Sequence, residues 1–373
     1  MTTETPTWRQ APDSTALPDA EQATALLRKV ATSLTKLAYR PWFFGDSVAF
    51  EAMIASSTVL GDLSFAAFAR GFARAWAVRR HPFTREDCTA PGLAIVDLAG
   101  QFADGLLLEA AIELAEYLAQ RPKIYGIFET FEHSPLQHPY GPDTLAPADL
   151  VLLADPPPGV FVDCLHFDPP FFTALGAALG EDRYLSLGVE QALAYIELLQ
   201  GEDGLFRHFA LRDVPRLFGA GWGRGQGWAL CGLLDVLERL PAGDGRADTI
   251  RGSASRLIAA MVECQRPDGH WDAVVHEPMS GVETSTAAFM AWAFARAQRL
   301  GVAGDEVSSP RERAICAAVA STTPDGVLRG VSAAVNACTR QSHYAHVPRD
   351  FLAPWGQGPL ALAMSEQLIA VRS

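Results

Sequence analysis

The 373-residue chain has no long apolar run. No stretch approaches the roughly 18 consecutive apolar residues that a transmembrane helix needs, and mean hydropathy is near zero at +0.09. Positive charge is scarce: 30 Lys and Arg stand against 43 Asp and Glu, a net of −13. A field of that sign repels nucleic acid and anionic membranes at long range. A small anionic substrate remains admissible, because a local cluster of Arg or His can override the global field inside a cleft. The start, Met1 to Thr7, lacks the basic residues and apolar core of a secretory signal. The six cysteines (Cys88, Cys164, Cys231, Cys264, Cys316, Cys338) form no CxxC pair. They read as reduced core thiols of a cytoplasmic protein, not as a disulfide frame or a zinc site. There is no GxSxG, no dinucleotide fingerprint and no phosphate loop ending in GK[ST].

Strand alternation is also missing; helical spacing fills its place. Leu185, Val189, Ala192, Ile196 and Leu199 step by three or four, as do Leu230, Leu233, Leu237 and Leu240. The same rule runs through Ile250–Cys264 and Ala287–Ala297. Residues 1–18 read as a polar tail. Asp19 with Gln22 makes a capping box that opens a helix through about Leu37. Three loops carry Asp-Gly before apolar residues, at Asp203, Asp268 and Asp325. They suit repeated helical hairpins. Residues 119–162 are Pro-rich and read as a long functional excursion. The expectation is an all-α chain with one domain over 19–373.

Three segments could carry chemistry. In Gly219–Trp228, glycines alternate with Trp222, Arg224, Gln226 and Trp228. Trp offers a flat face for a sugar ring, and Arg a planar fork for a carboxylate. In Val162–Phe172, Asp163 sits inside an apolar run where an unpaired charge is expensive. Asp168 before Pro169 is the better helix cap, which leaves Asp163 without a structural task. An apolar setting favours the protonated carboxyl that a general acid needs. Asp97 also follows an apolar run, and taken alone it reads as the cap of the helix around Leu106–Leu118. His208 follows the first Asp-Gly loop. Trp42 and Asp46 could line a cleft mouth. His343 and His346 have HxxH spacing, with no third ligand to make a metal site.

Together these elements resemble the unsaturated glucuronyl and rhamnogalacturonyl hydrolases, glycoside hydrolase families 88 and 105, closer to 105. Trp222-Gly-Arg-Gly-Gln-Gly-Trp228 is similar to their W-[AG]-R-G-[NQ]-[GA]-W signature. Asp163 with Leu165 and Pro170-Phe-Phe resembles D-x-L-x-M-x-x-P-F-L. Asp203-Gly-Leu with His208, Asp268-Gly-His-Trp with Glu283-Thr-Ser-Thr, and Trp355-Gly-Gln-Gly follow in the family's order. Where the family often carries an aromatic-His-Lys segment, this chain has Asp155-Pro-Pro-Pro-Gly-Val-Phe.

The resemblance implies an (α/α)6 barrel with the site in loops at one end. It implies release of a terminal 4,5-unsaturated uronic acid by hydration of the C4–C5 double bond. By the match, Asp163 is the central acid and Asp97 the second carboxylate. His208, Trp222, Arg224, Gln226 and Trp228 grip the sugar, with Trp42, Asp46 and Trp355 beside them. No metal or organic cofactor is implied. The expected partner is a small oligosaccharide, and the chain is expected to be a monomer or homodimer. The alternatives are hydrolysis of a saturated uronosyl or other glycoside, an epimerase using two of His208, His343 and His346, and a non-catalytic sugar-binding barrel.

Overall fold

The computed structural model describes residues 17–39 and 42–372; the expected polar tail lies, but for its last two residues, outside them. In chain order the helices are α1 (Ala20–Leu34), α2 (Asp46–Leu60), α3 (Ser64–Ala77), α4 (Gly92–Gln101), α5 (Gly105–Leu118), α6 (Pro147–Ala154) and α7 (Asp168–Leu179). Then come α8 (Asp182–Leu199), α9 (Gly223–Arg239), α10 (Ala247–Glu263), α11 (Thr284–Arg299), α12 (Ser308–Ala320), α13 (His343–His346) and α14 (Pro354–Arg372). The capping box forms as expected: the Gln22 amide donates to Asp19 Oδ1, and the Asp19 amide to Gln22 Oε1. The helix stops earlier than expected, at Leu34.

Six helices form a closed inner ring. α2 packs on α4, α4 on α7, α7 on α9, α9 on α11, α11 on α14, and α14 back on α2. An outer helix covers each: α3, α5, α8, α10 and α12 follow their inner partners, and α1 lies on α14 and α2. Burial explains the division. Every residue of α9 from Gly223 to Val236 is buried, as a helix enclosed on all sides requires. Outer α8 buries one stripe, including Leu185, Val189, Ala192, Ile196 and Leu199, the set that the periodicity picked out. The fold is the (α/α)6 barrel.

The two ends of the barrel differ. Return connections from inner to outer helices are short, such as 61–63, 102–104 and 180–181. Segments leading into inner helices are long: 119–167, 200–222 and 321–353. No strand alternation shows in the sequence, yet these segments hold four short strands. β1 (Lys123–Ile124) pairs with β2 (Ile127–Phe128), and β3 (Gly159–Phe161) with β4 (Phe209–Leu211), both antiparallel. At two or three residues each, they are too short for an alternating pattern to register.

Candidate active site

The β3–β4 register assembles the site. Phe161 pairs with Phe209 and their rings stack at 5.2 Å. The Val162 amide then donates to the His208 carbonyl at 2.8 Å. This pairing brings Asp163, two residues past β3, beside His208, one residue before β4. His208 Nε2 stands 3.4 Å from Asp163 Oδ2, and its Nδ1 lies 2.7 Å from the Tyr344 hydroxyl. The proton arrangement that serves both contacts has the Tyr344 hydroxyl donating to Nδ1 and Nε2–H facing the carboxylate. Trp222 flanks the imidazole with ring centroids 4.3 Å apart. Gly219 permits this crowding. Its φ is +68°, and a Cβ there would strike the Tyr344 hydroxyl and the His208 Cβ.

Asp163, His208 and Trp222 share one pocket with Phe44, Phe131, Phe161, Phe167 and Val335. Thr89, Thr130 and Asn336 add polar groups to its wall. Asn336 holds φ at +54°, a conformation that clusters at functional sites. The lining comes from segments that lead into inner helices, so the pocket opens at the end with long loops.

Asp163 rides on a 3-10 turn, Val162–His166, that dips between the inner helices. Gly232 on α9 gives it room, because a Cβ there would overlap the Leu165 carbonyl. The buried His166 ring lies 3.2 Å from Glu51 Oε1 through Nε2 and 3.3 Å from Asp235 Oδ2 through Nδ1. Burial alone lowers an imidazole pKa, but the two carboxylates overcome it and hold His166 up at about 10. Asp235 is pulled below the ordinary carboxylate range, against its burial, by Arg296 and His166. Glu51, His166 and Asp235 are ligand-type side chains close together. Their carboxylates flank opposite ring nitrogens, and Arg296 takes the other Asp235 oxygen at 2.6 Å. In this arrangement the group forms a chain of ion pairs.

The other expected site residues lie elsewhere. Asp97 sits in the body of α4 and pairs with Arg239 at 2.8 and 2.9 Å. Arg239 ends α9, ~26 Å along the helix from Trp222 at 1.5 Å per residue, and Asp97 is held by its guanidinium. Burial, with Glu51 and Asp235 nearby, raises its pKa to about 6 despite Arg239. It neither lines the pocket with Asp163 nor caps α5. Arg224 lies beneath Trp222, its guanidinium carbon 5.1 Å from that ring. It donates to Ser332 Oγ at 2.6 Å and the Ala333 carbonyl at 3.0 Å, and pairs with Glu283 at 3.3 Å. Gln226 spends its amide on the Phe206 backbone and the Trp222 carbonyl. Trp228 is fully buried against His166 and Phe289. These three hold the loop and do not face the pocket.

Trp42, Asp46 and Trp355 line a neighbouring groove with Tyr39, Phe351 and Leu352. Phe44, stacked on Trp355 at 5.3 Å, separates it from the Asp163 pocket. Asp46 accepts from the Phe43 amide at 3.0 Å, and burial raises its pKa to about 7. Asp168 is no side-chain cap; it is buried in a 2.7 Å pair with Arg121. His343 bonds the Tyr140 amide and the Val335 carbonyl, so the HxxH pair offers neither a metal site nor a second catalytic imidazole. Sequence reasoning missed Tyr344, Phe44, Thr89 and Asn336. It did mark the excursion that supplies Phe131 and Thr130.

A carboxylate and an imidazole among aromatic rings, at the long-loop end of a double helical ring, define a barrel enzyme of the glycoside hydrolase class. The chain belongs to Glycosyl Hydrolase Family 88, whose model matches residues 27–370. It is 25% identical over 271 residues to the unsaturated rhamnogalacturonyl hydrolase YesR of Bacillus subtilis, covering 72% of each chain. An unsaturated 3S-rhamnoglycuronyl hydrolase of Alteromonas is 25% identical over 228 residues, 56% of this chain and 51% of that protein. Among solved structures, a possible GH105 member from Salmonella enterica superposes with a TM-score of 0.80 at 21% identity, over 99% of this chain and 98% of that one. A family 105 glycoside hydrolase of C. acetobutylicum gives 0.76 at 16%, over 92% and 98%.

Proposed function

We propose that the protein releases a terminal 4,5-unsaturated uronosyl residue from lyase-generated oligosaccharides by hydrating the C4–C5 double bond. One observation carries this reading: among the described residues, Asp163 is the single carboxylate lining the pocket. Direct displacement at the anomeric carbon uses two carboxyl groups, ~5 to 9.5 Å apart across the sugar. Asp97, the expected second one, is spent on Arg239 outside the pocket. Hydration needs one group that gives a proton and then takes one back.

Asp163 donates its proton to C4. Water adds at C5 and returns a proton to the Asp163 carboxylate. The C5 hydroxyl belongs to a hemiketal, which opens by breaking the C5–ring-oxygen bond to a C5 ketone. The C1 hemiacetal so formed collapses to an aldehyde and releases the remaining sugar as an alcohol, with one water consumed overall. His208, oriented by Tyr344, steadies the carboxylate, and Trp222 offers a ring face to the sugar. The groove at Trp42, Asp46 and Trp355 takes the sugar beyond the scissile bond, in keeping with the rhamnose-linked substrates in the names of the Bacillus and Alteromonas proteins. The same reading makes residues 19–373 one catalytic domain working in the cytoplasm on small oligosaccharides.

The test is to follow ultraviolet absorbance of the conjugated double bond with a panel of unsaturated disaccharides, wild type beside Asp163→Asn. Loss of absorbance with wild type alone supports hydration by this acid. A folded wild type that leaves every member intact, yet cleaves a saturated uronoside, refutes it.

A further inference from the structure

We infer that the terminal sugar taken by this pocket carries an uncharged group at C6: a methyl-esterified 4,5-unsaturated uronosyl residue in preference to the free uronate. The inference rests on the hydration reading and narrows its substrate.

A bound uronate needs a cation or several free donors to replace its water. Among the described residues, neither lysine nor arginine lines the pocket. Arg224, the guanidinium nearest in the motif, is engaged from below through its two terminal nitrogens, and its Nε is buried without a partner. It spends donors on Ser332 and Ala333, and its charge is balanced by Glu283. The Trp222 ring also lies against it. His208 is the remaining basic group, and both ring nitrogens already face partners, Asp163 and Tyr344. The single hydroxyl proton of Thr89 is committed to the Trp42 and Glu86 carbonyls, 3.1 and 3.0 Å away, which share it.

The chemistry sharpens the problem. Proton transfer to C4 places Asp163 beside C4, and C6 is only two bonds further along the sugar. A free carboxylate at C6 would sit close to Asp163 in a wall built mainly of Phe44, Phe131, Phe161, Phe167 and Val335. As Asp163 gives up its proton it becomes negative, and a second charge at C6 opposes that step, because little water remains to screen the pair. A methyl ester removes that charge and offers the rings an apolar group to bury. The overall charge of −13 works in the same direction during approach.

The experiment compares two unsaturated digalacturonides that differ only at C6 of the unsaturated ring, free acid and methyl ester. Both are followed by loss of ultraviolet absorbance and by chromatographic release of the saturated sugar. The ester is expected to show kcat/KM about tenfold higher or more, since an unpaired buried charge is rejected steeply. A Phe131→Arg variant, which sets a cation in the wall, is expected to narrow or reverse the ratio. Equal or faster turnover of the free acid by wild type overturns the inference while leaving hydration standing. Failure to consume either compound overturns the hydration reading, and the inference with it. If the variant does not fold, the wild-type ratio still decides.

Discussion

His166 Nε2 stands 3.2 Å from Glu51 Oε1, on the far side of the ring interior from Asp235. Glu51 belongs to α2 and Asp235 to α9, which face one another across the six-helix ring. One imidazolium therefore bridges the lumen, three residues along the chain from Asp163. It fixes the turn that carries the acid by charge as well as by packing.

That bridge predicts alkaline sensitivity. The folded pKa of His166 is raised to about 10, against an ordinary 6.5. Its stabilising contribution is fully present below the unfolded value and is lost as pH rises through the folded one. Melting temperatures of wild type and His166→Gln should differ most near pH 6 and converge above about pH 10. Parallel curves throughout would show that the ring is neutral. Near pH 7, His166→Ala should cost ~3–5 kcal/mol, because it leaves buried Glu51 without a cation and Asp235 with Arg296 alone.

Asp163→Asn should lower turnover by about 10²- to 10⁴-fold, the range for a positioned acid or base. Its melting temperature should stay near that of wild type, since among the described residues the carboxylate's polar contact is the 3.4 Å approach to His208. A variant with more than a tenth of wild-type rate would remove Asp163 from the chemistry.

Tyr344→Phe takes away the hydroxyl that orients His208. Loss of one such bond is worth about 1 kcal/mol, so kcat should fall roughly fivefold. KM should change little, because the hydroxyl does not line the pocket. A rise in KM at constant kcat would instead place Tyr344 on the substrate.

Asp97→Asn and Arg224→Ala separate the expected site from the observed one. Asp97→Asn should keep kcat within about threefold of wild type, its partner being Arg239 outside the pocket. Arg224→Ala should destabilise by ~3–5 kcal/mol, because Glu283 is left buried without its cation. A well-folded Arg224→Ala protein with a raised KM would return that guanidinium to substrate binding.

The helical architecture was legible because outer helices bury a single stripe. Leu185 to Leu199 on α8 shows the period cleanly. Asp163, His208 and Trp222, which the structure brings to one pocket, were legible as candidates because each stands in an irregular segment, and Asp163 there lacks a structural task. Arg224, Gln226 and Trp228 misled for a physical reason. α9 is buried on every side, so its sequence has no polar face to reveal which side chains point at the pocket. Asp97 misled because an acid after an apolar run looks the same whether it meets substrate or Arg239. Tyr344 was invisible because its partner, His208, lies 136 residues away.

The ring closes through its last member. Gln357 on α14 donates to Ser33 on α1, Arg372 reaches the Val59 carbonyl, and Gly358 lets the helix press on the Val48 carbonyl of α2. During synthesis at ~5–20 residues per second, each hairpin before Pro354 can dock on the one already made. The seam between α2 and α11 must nevertheless stay open until α14 arrives. A chain synthesised only as far as Pro354 thus has an apolar gutter exposed, and a ribosome stalled there would release a horseshoe prone to join its neighbours.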